Sequence, residues 1–508
     1  ATVTVTPTGS NPLNSLQPGQ WYMAPNTNVS ALDPCPARNC SYSGSDGQAH
    51  VMGAWNSGAY DTKRDRLIIW GGGHNNYGGN EIYTFDIATL SWARITEPSI
   101  VLPQDRADCF PAGVAGCSGG SNATGYYSDG KPASRHTANA LAYAANVDQF
   151  FSLALGSSFG STGRQGFDVD SFNFDTGTWK SDWQKSPGNP YGAAGTIAAY
   201  NPVTGKIWYH ASMNSPLAEF DPTVSPTGSW RTSTVTTPNN GQAGVLMDYK
   251  RNRMVAIGEY GGSRVLRVWD LNNINTPPTN PSTSGAPGGI ALESARGVGF
   301  IYDPVGDRYV AWHGGATVYA LDPVTWVWSA IPLYSGNTVT PTAPNNEGTY
   351  GRMQYIPSKQ AFILVNQTTE NVYFFKLTNG AAPPPVNPPA PTVSLTASPM
   401  SVASNGETTL SWLSSNATSC TASGAWSGPR AVIGAQGISA LTATSTFTLT
   451  CSGAGGSVSK SVTVTVAAGT PAPTVSLTAN PGNVSSGGSS TLTWSSTNAT
   501  SCTAGGAW

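Results

Sequence analysis

The chain has 508 residues, with 58 Gly, 38 Pro, 14 Phe, 16 Trp and 20 Tyr, and only 10% of it is charged, for a formal net charge of −2. So few charges exclude a coiled coil or helical bundle, and so many aromatic residues exclude a disordered chain. The absence of a basic run argues against nucleic acid as a partner, and no apolar stretch reaches the roughly 18 residues of a membrane span. The composition predicts an all-β, turn-rich protein.

The first residues and the cysteines favour an exported protein. The chain begins Ala1-Thr2-Val3 without a charged or apolar leader, as expected of a secreted protein whose signal peptide has been removed. Six cysteines predict three disulfides, Cys35–Cys40, Cys109–Cys117 and Cys420–Cys451, while Cys502 has no evident mate. We therefore expect a location outside the cell, on its surface or in the matrix.

A four-strand pattern recurs about every 50 residues over the first three quarters of the chain. An apolar strand ends in Tyr and a second apolar strand follows; the tyrosines are Tyr60, Tyr143, Tyr200, Tyr249, Tyr302 and Tyr355. Most copies continue with a third strand ending in Asp, at Asp86, Asp175, Asp221, Asp270 and Asp322. A Trp often follows, at Trp92, Trp179, Trp230 and Trp328. Four short strands per repeat are typical of a β-propeller blade.

These repeats resemble those of kelch β-propellers, which carry Gly-Gly, Tyr-Asp and turn-Trp elements. The first copy shows them most clearly, with Tyr60-Asp61 followed by Gly71-Gly72-Gly73. The resemblance covers about residues 18–378 and implies six blades, with seven as the alternative. The sixth copy stops after three strands at Phe375, and the segment around Trp21 resembles an outer strand. We therefore predict that the N-terminal strand closes the ring and pairs an exposed edge.

The propeller is predicted to take residues 1–378, with an insertion at 96–133, and a proline-rich linker follows at 379–391. In the tail, residues 389–426 return almost unchanged at 471–508.

Alternating residues and a spanning Cys pair predict that the tail forms immunoglobulin-like β-sandwiches. The first sandwich is expected at 392–467, and 468–508 is interpreted as the first half of a second repeat that continues beyond this chain. Residues 381–508 contain three charged side chains, so we expect them to form a stalk or to self-associate and place the chemistry in the propeller.

All five histidines lie in the propeller region, and the blade register predicts that they open onto one face. His50 and His136 precede first strands, whereas His74, His210 and His313 follow second strands. In a kelch-like blade these positions lie on the same face of the disc. Each histidine also has a structural alternative to a functional role, such as a core position for His313. The recurring tyrosines are interpreted as residues that pack the blades.

A face rich in His, Tyr and Arg suits β-elimination on a uronate polysaccharide, in which Arg neutralises the carboxylate, a base removes the C5 proton and an acid protonates the leaving oxygen. In residue types and placement the chain resembles propeller-type polysaccharide lyases such as ulvan lyases. The resemblance implies Arg135 or Arg352 at the carboxylate, His136 or His210 as the base, and Tyr209 or Tyr350 as the acid. Residues predicted to bind substrate are His74, Asn75, Asn76, Tyr77, Trp208, Glu259 and His313.

A second enzyme class is the copper radical oxidases similar to galactose oxidase, which join a kelch propeller to an immunoglobulin-like domain. That family needs a Cys cross-linked to Tyr and a copper-binding His from the C-terminal domain. Here both propeller Cys pairs are predicted disulfides and the tail has no His. A glycosidase would need a pair of carboxylates, and near the central funnel of the predicted propeller only Glu259, Glu293 and Glu347 stand out. The sequence specifies no metal and no cofactor.

The third alternative is a non-catalytic surface or matrix protein that binds a glycan or a protein. Trp208, Asn76 and Tyr77 are residue types that stack on sugars and hydrogen-bond to them without catalysis. The low charge and the Ser/Thr-rich tail favour an adhesive stalk.

Overall fold

The computed structural model describes residues 11–53, 55–73, 76–102, 125–153, 159, 169–187, 195–211, 214–237, 242–258, 264–379, 390–453 and 455–508. The prediction of an all-β protein is confirmed, because these residues form many small, mostly antiparallel sheets, several of them four-stranded. The chain divides into two compact units, Ala1–Pro389 and Ala390–Trp508. Within the described residues, no helix has the length and apolar character needed to cross a membrane.

Six sheets make up the described part of the first unit, and all but one of their strand pairs are antiparallel. Its strands are β1 (Trp21–Ala24), β2 (Gly58–Asp61), β3 (Arg66–Ile69), β4 (Tyr83–Asp86), β5 (Ser91–Arg94), β6 (Leu141–Ala144), β7 (Gln149–Ser152), β8 (Asp170–Asn173), β9 (Thr178–Lys180), β10 (Ile197–Asn201), β11 (Lys206–His210), β12 (Ser215–Asp221), β13 (Ser229–Thr237), β14 (Gly244–Asp248), β15 (Arg253–Ile257), β16 (Leu266–Asp270), β17 (Ser284–Gly285), β18 (Gly299–Asp303), β19 (Arg308–Trp312), β20 (Tyr319–Leu321), β21 (Val327–Ala330), β22 (Met353–Ile356), β23 (Ala361–Leu364) and β24 (Val372–Lys376). Its helices are short: α1 (His50–Gly53), α2 (Pro287–Ala291) and 3-10 turns at Pro12–Asn14, Val29–Leu32, Gly47–Ala49, Leu292–Ser294 and Tyr350–Arg352.

Strand order within each sheet follows the chain. The orders are β2-β3-β4-β5, β6-β7-β8-β9, β10-β11-β12-β13, β14-β15-β16, β18-β19-β20-β21 with β17 added to β21, and β22-β23-β24 with β1 added to β24. We call β2, β6, β10, β14, β18 and β22 the first strands. Each contacts the first strand of the next sheet, and β22 contacts β2. Every first strand therefore lies between two others.

The turns between first and second strands share one backbone conformation. The residue before the second strand has a positive φ in every sheet, at Asp65, Asp148, Gly205, Asn252, Asp307 and Gln360. Asp, Asn and Gly tolerate this left-handed region better than other residues. All three Asp residues among them also accept a hydrogen bond from the tyrosine five residues earlier, Tyr60 to Asp65, Tyr143 to Asp148 and Tyr302 to Asp307.

Ion pairs join neighbouring sheets at this turn end. Arg251 of the fourth sheet donates through both Nη atoms to the carboxylate of Asp307 in the fifth, each at 2.8 Å. Arg64 of the first sheet binds Asp148 of the second in the same way, at 2.7 and 2.9 Å. Bidentate geometry makes such pairs stronger than ordinary surface pairs.

At the opposite end, hydrogen bonds join the segments that lead into the first strands. Ser57 N–H donates to the Thr137 hydroxyl at 2.8 Å, and Asn139 N–H donates to the Thr196 carbonyl at 3.1 Å. Gly297 N–H donates to the Gln242 carbonyl at 2.7 Å and its own carbonyl accepts from Tyr350 N–H. The first strands are therefore fixed at both ends.

The N-terminal strand β1 completes the last sheet of the unit. It pairs antiparallel with β24, with Trp21 opposite Phe375. Trp21 is only 2% exposed, its ring packs 4.9 Å from that of Phe375, and its Nε1–H donates to the Ala316 carbonyl at 2.8 Å.

The second unit contains two sheets that share a core, followed by a hairpin. Its strands are β25 (Thr392–Ser398), β26 (Ser401–Val402), β27 (Gly406–Ser415), β28 (Ser419–Gly424), β29 (Gly428–Arg430), β30 (Ile433–Leu441), β31 (Ser445–Gly453), β32 (Gly456–Val466), β33 (Thr474–Asn480) and β34 (Thr491–Thr497). The sheets run β25-β27-β30 and β26-β32-β31-β28-β29, and β33 pairs with β34. Leu395 and Trp412 are buried in the shared core, whereas their repeat counterparts Leu477 and Trp494 on the hairpin are 53% and 54% exposed.

Two of the three predicted disulfides are formed. Cys35 bonds to Cys40, and Cys420 of β28 bonds to Cys451 of β31. The pair Cys109–Cys117 lies outside the described residues, as do most of the predicted insertion and linker. Cys502 is exposed and free.

Replacing the buried indole of β1 tests how far this strand stabilises the first unit. We expect Trp21→Ala to lower the free energy of unfolding by about 3–5 kcal/mol, because it opens a cavity and loses a hydrogen bond. Met23→Ala in the same strand, at a side chain 39% exposed, should change it by less than about 0.5 kcal/mol. Chemical denaturation measures both, and equal effects would contradict the role given to Trp21.

The pair Arg251–Asp307 predicts an acid-sensitive contribution to stability. Hydrogen bonds from Arg251 hold the pKa of Asp307 well below its ordinary value. A carboxylate with a lowered folded-state pKa stabilises above its unfolded pKa of about 4, and that stabilisation disappears as the pH falls through the folded value. We expect Asp307→Asn to cost about 1–2 kcal/mol at neutral pH and progressively less below pH 4. A cost that does not change with pH in denaturant titrations would rule out the ion pair as its source.

Candidate functional site

The structure places several of the described candidate residues at the end where the first strands begin. His136 precedes β6, and Tyr350 and Arg352 precede β22 directly. His210 ends β11 opposite Ile197, the first residue of β10, and Trp312, which precedes His313, lies opposite Gly299, the first residue of β18. His74, Asn75 and Glu259 lie outside the described residues.

Both arginines predicted to hold a substrate carboxylate are buried and engaged. Arg352 donates to the backbone carbonyls of Asn56, Gly348 and Val365. Burial lowers its pKa to about 10. Arg135 forms an ion pair with buried Asp170, with Nη2 and Oδ2 3.0 Å apart. In this structure neither guanidinium presents surface to a ligand, and both instead stabilise the segments that carry their neighbours.

The segment Trp208-Tyr209-His210 is also buried, on both faces of β11. His210 packs 5.5 Å from the ring of Trp269 and bonds to the Thr237 hydroxyl through Nε2. Tyr209 points to the other face, where its ring lies 5.6 Å from Trp230 and burial raises its pKa. All three side chains are at most 1% exposed, so the structure does not bring Tyr209 and His210 into one open site.

Tyr350 and Tyr77 are buried as well. Tyr350 has a positive φ of 50° and burial raises its pKa, while its hydroxyl has no hydrogen-bond partner within the described part of the chain. Tyr77 donates to the buried carboxylate of Glu81 at 2.6 Å. Asn76 donates to Asp46 at 2.7 Å, which ties its loop to the segment before α1.

Five partly exposed side chains beside the first-strand starts form what we call the polar rim: His50, Trp55, His136, Arg296 and Glu347. The rings of Trp55 and His136 lie 4.8 Å apart. Arg296 and Glu347 form an ion pair, with Nη1 and Oε2 2.5 Å apart and side chains 28% and 24% exposed. The polar rim thus combines an indole, two imidazoles and a guanidinium–carboxylate pair.

Nearby charges tune the imidazole of His50. Burial lowers its pKa, while the carboxylates of Asp46 and Glu347 oppose that change. Its Nε2 lies 3.6 Å from Asp46 Oδ2. The helix that carries His50 is joined to the Glu347 segment because Asn345 donates to the Met52 carbonyl at 2.9 Å. His313, half-buried after β19, also has a pKa lowered by burial.

A cavity of about 440 Å³ lies between the first strands, and we call it the first-strand cavity. Residues of all six first strands line it, in layers. One layer contains Tyr60, Tyr143, Tyr200, Met247, Tyr302 and Tyr355, and the next contains Thr62, Ala145, Pro202, Tyr249, Pro304 and Pro357. In the strand register, Asp248 lies opposite Arg253 just as Asp61 lies opposite Arg66. Met247 therefore occupies the position that is Tyr60 in the first sheet, and Tyr249 lies two residues beyond it. The tyrosines therefore line a cavity as well as pack the sheets.

Sequence reasoning missed Trp55 and Arg296 as candidates. Both lie in connections before first strands, where the repeat pattern gives no signal. The positive φ of Trp55, 50°, is visible only in the structure. No cluster of three or more His, Cys, Asp or Glu side chains suited to a metal ion occurs among the described residues.

Comparisons with known proteins find similarity among solved structures but none among family models or curated sequences. No protein-family model matches the chain, and no curated protein sequence matches it. Solved structures that resemble it include an auxiliary nutrient binding protein from Bacteroides thetaiotaomicron, with a TM-score of 0.37 and 9% identity over 65% of this chain and 70% of that one. Values this low transfer neither a fold nor a function to this protein.

The buried imidazole of His210 predicts a pH-dependent stability. Burial lowers its pKa from 6.5 to about 4, so the unfolded chain binds a proton more readily than the folded one between these values. Stability should therefore fall as the pH drops from 6.5 to 4, by about 2–3 kcal/mol for this group. We expect His210→Gln to remove that part of the pH dependence in denaturation experiments. An unchanged slope would contradict a neutral, buried His210.

Proposed function

We propose that the first unit is a six-bladed kelch-like β-propeller that binds an extracellular glycan at its polar rim. The six sheets, the cyclic contacts among their first strands and the pairing of β1 with β24 support this architecture. The Gly-Gly and Tyr-Asp elements of the sequence support the kelch resemblance. The disulfide Cys35–Cys40 supports a location outside the cell.

The observation that carries the binding function is the pairing of the Trp55 and His136 rings at the end of the first strands that also carries the Arg296–Glu347 ion pair. An indole offers an apolar face to the C–H groups of a pyranose ring, and imidazole, carboxylate and guanidinium groups hydrogen-bond to its hydroxyls. The two rings are 4.8 Å apart and both side chains are only partly buried. A sugar that stacks on Trp55 therefore comes within reach of His136.

Burial favours binding over β-elimination. The lyase assignment needs an arginine and a tyrosine that face the substrate, whereas Arg135, Arg352, Tyr209 and Tyr350 are at most 1% exposed. His136 is the one residue of the predicted catalytic set that is partly exposed in this structure. Binding without turnover is therefore the function that the geometry supports best, with uronate β-elimination by His136 as the catalytic alternative.

For the second unit we propose an immunoglobulin-like sandwich that acts as a stalk. Residues of both sheets form its core, and Cys420–Cys451 links two strands of the larger sheet. Few charges and many Ser and Thr side chains suit a neutral spacer.

Substitution of the rim indole tests the proposal. We expect Trp55→Ala to weaken binding to a panel of neutral and uronate polysaccharides by about tenfold or more, because stacking is lost. His136→Ala should weaken it by about threefold to tenfold. The matched control is Tyr334→Ala, an aromatic side chain 39% exposed outside the polar rim, which should leave affinity unchanged. Calorimetry measures affinity, and the ultraviolet absorbance of an unsaturated uronate detects a lyase product.

Three results would contradict the proposal. Equal glycan affinity of Trp55→Ala and wild type would show that the binding site does not lie at the polar rim. No binding to any glycan of the panel would show that glycan binding is not the function. Accumulation of an unsaturated product that stops in His136→Ala would replace binding with the lyase function.

A further inference from the structure

The first-strand cavity has the dimensions and lining of a ligand site separate from the polar rim. Its volume of about 440 Å³ falls within the range of small-molecule pockets, roughly 300–1,000 Å³. Aromatic and aliphatic side chains such as Tyr302, Phe300, Leu246 and Ile301 dominate the lining. The cavity is therefore suited to a molecule that is largely apolar.

The lining carries no formal charge. None of the described residues that line the cavity is Asp, Glu, Lys, Arg or His. An ion that entered would lose its hydration without gaining a partner of opposite charge, which costs several kcal/mol or more. The nearby carboxylates of Asp148 and Asp307 are already bound to Arg64 and Arg251. An uncharged molecule is the chemical class that fits.

Hydrogen bonds hold the aromatic walls in place before any ligand arrives. Tyr60, Tyr143 and Tyr302 donate to Asp65, Asp148 and Asp307 at 2.5, 2.5 and 2.8 Å. Fixed rings lose little conformational entropy on binding, so this site is preorganised.

One polar group in the wall is left unsatisfied. Tyr355 lines the cavity, and its buried hydroxyl has no hydrogen-bond partner within the described part of the chain. The polar side chains of Thr62, Asn139 and Gln354 also line the cavity. A largely apolar ligand with a few hydrogen-bonding groups therefore matches this lining.

The cavity has a mouth at the turn end of the first strands. Thr62 and Ala145 are exposed there, and Pro202, Pro304 and Pro357 are partly exposed. The residues of the polar rim lie at the other end of the same strands, and none of them lines the cavity.

We propose that the first-strand cavity binds an uncharged, largely apolar small molecule that enters between the turns following the first strands. This proposal is independent of glycan binding, since it uses none of the residues of the polar rim.

A matched pair of fluorescent probes tests the neutrality of the site in the full chain. N-phenyl-1-naphthylamine is uncharged, and 1-anilinonaphthalene-8-sulfonate has the same aromatic framework with an added sulfonate. We expect saturable binding of one uncharged probe per chain, and binding of the sulfonate about tenfold weaker or more. Equal affinity for the two probes would overturn the requirement for a neutral ligand, and no binding of the uncharged probe would overturn the site.

Substitution at the mouth tests the location. Ala145 is exposed and lines the cavity, so Ala145→Trp should narrow the entrance without disturbing the core and weaken probe binding by about tenfold. The control is Val203→Trp, at a residue 41% exposed in an equivalent turn but off the lining, which should bind within about twofold of wild type. Unchanged binding by Ala145→Trp would place the probe elsewhere, for instance on the exposed apolar face of the β33–β34 hairpin, and overturn the proposal.

Discussion

Hydrogen bonds between neighbouring sheets fix both ends of the first strands. These bonds also position the side chains on the connections that lead into those strands. At the turn end, Arg64 and Arg251 reach across to carboxylates of the next sheet. At the other end, buried Arg352 holds three backbone carbonyls that belong to two sheets. Because strands this short have few ladder hydrogen bonds of their own, the bonds between sheets determine where each strand begins and ends.

The need for these hydrogen bonds explains why so many polar side chains near the strand starts are buried. Arg352 bonds to carbonyls of two sheets, Arg135 pairs with buried Asp170, and neutral His210 bonds to the Thr237 hydroxyl. Buried polar and charged groups are tolerated only where such partners exist. The groups left at the surface, Trp55 and His136 among them, lie on connections that these bonds hold in position. A rigid scaffold with a few exposed groups on its loops is a common arrangement for ligand binding.

Much of the fold could be predicted from the sequence, because short strands separated by turn residues leave a regular trace. The Tyr period located five of the six first strands in register, and the fourth was displaced by two residues because Met247 replaces the tyrosine there. Candidate residues were harder to judge. Alternation along β11 gives no sign that both faces are covered by other sheets, so the burial of Tyr209 and His210 could not be foreseen. Trp55 belongs to an irregular connection and follows no period at all.

Hydrogen exchange can show whether a glycan binds at the polar rim, on the scaffold that these hydrogen bonds hold in place. Exchange of the full chain should be measured with and without the polysaccharide that binds it most tightly. We expect slower exchange in peptides covering residues 46–57, 134–140, 295–300 and 345–352, with no change at the turn end or in residues 390–508. Protection confined to residues 390–508, or to the turns around Thr62 and Ala145, would contradict it.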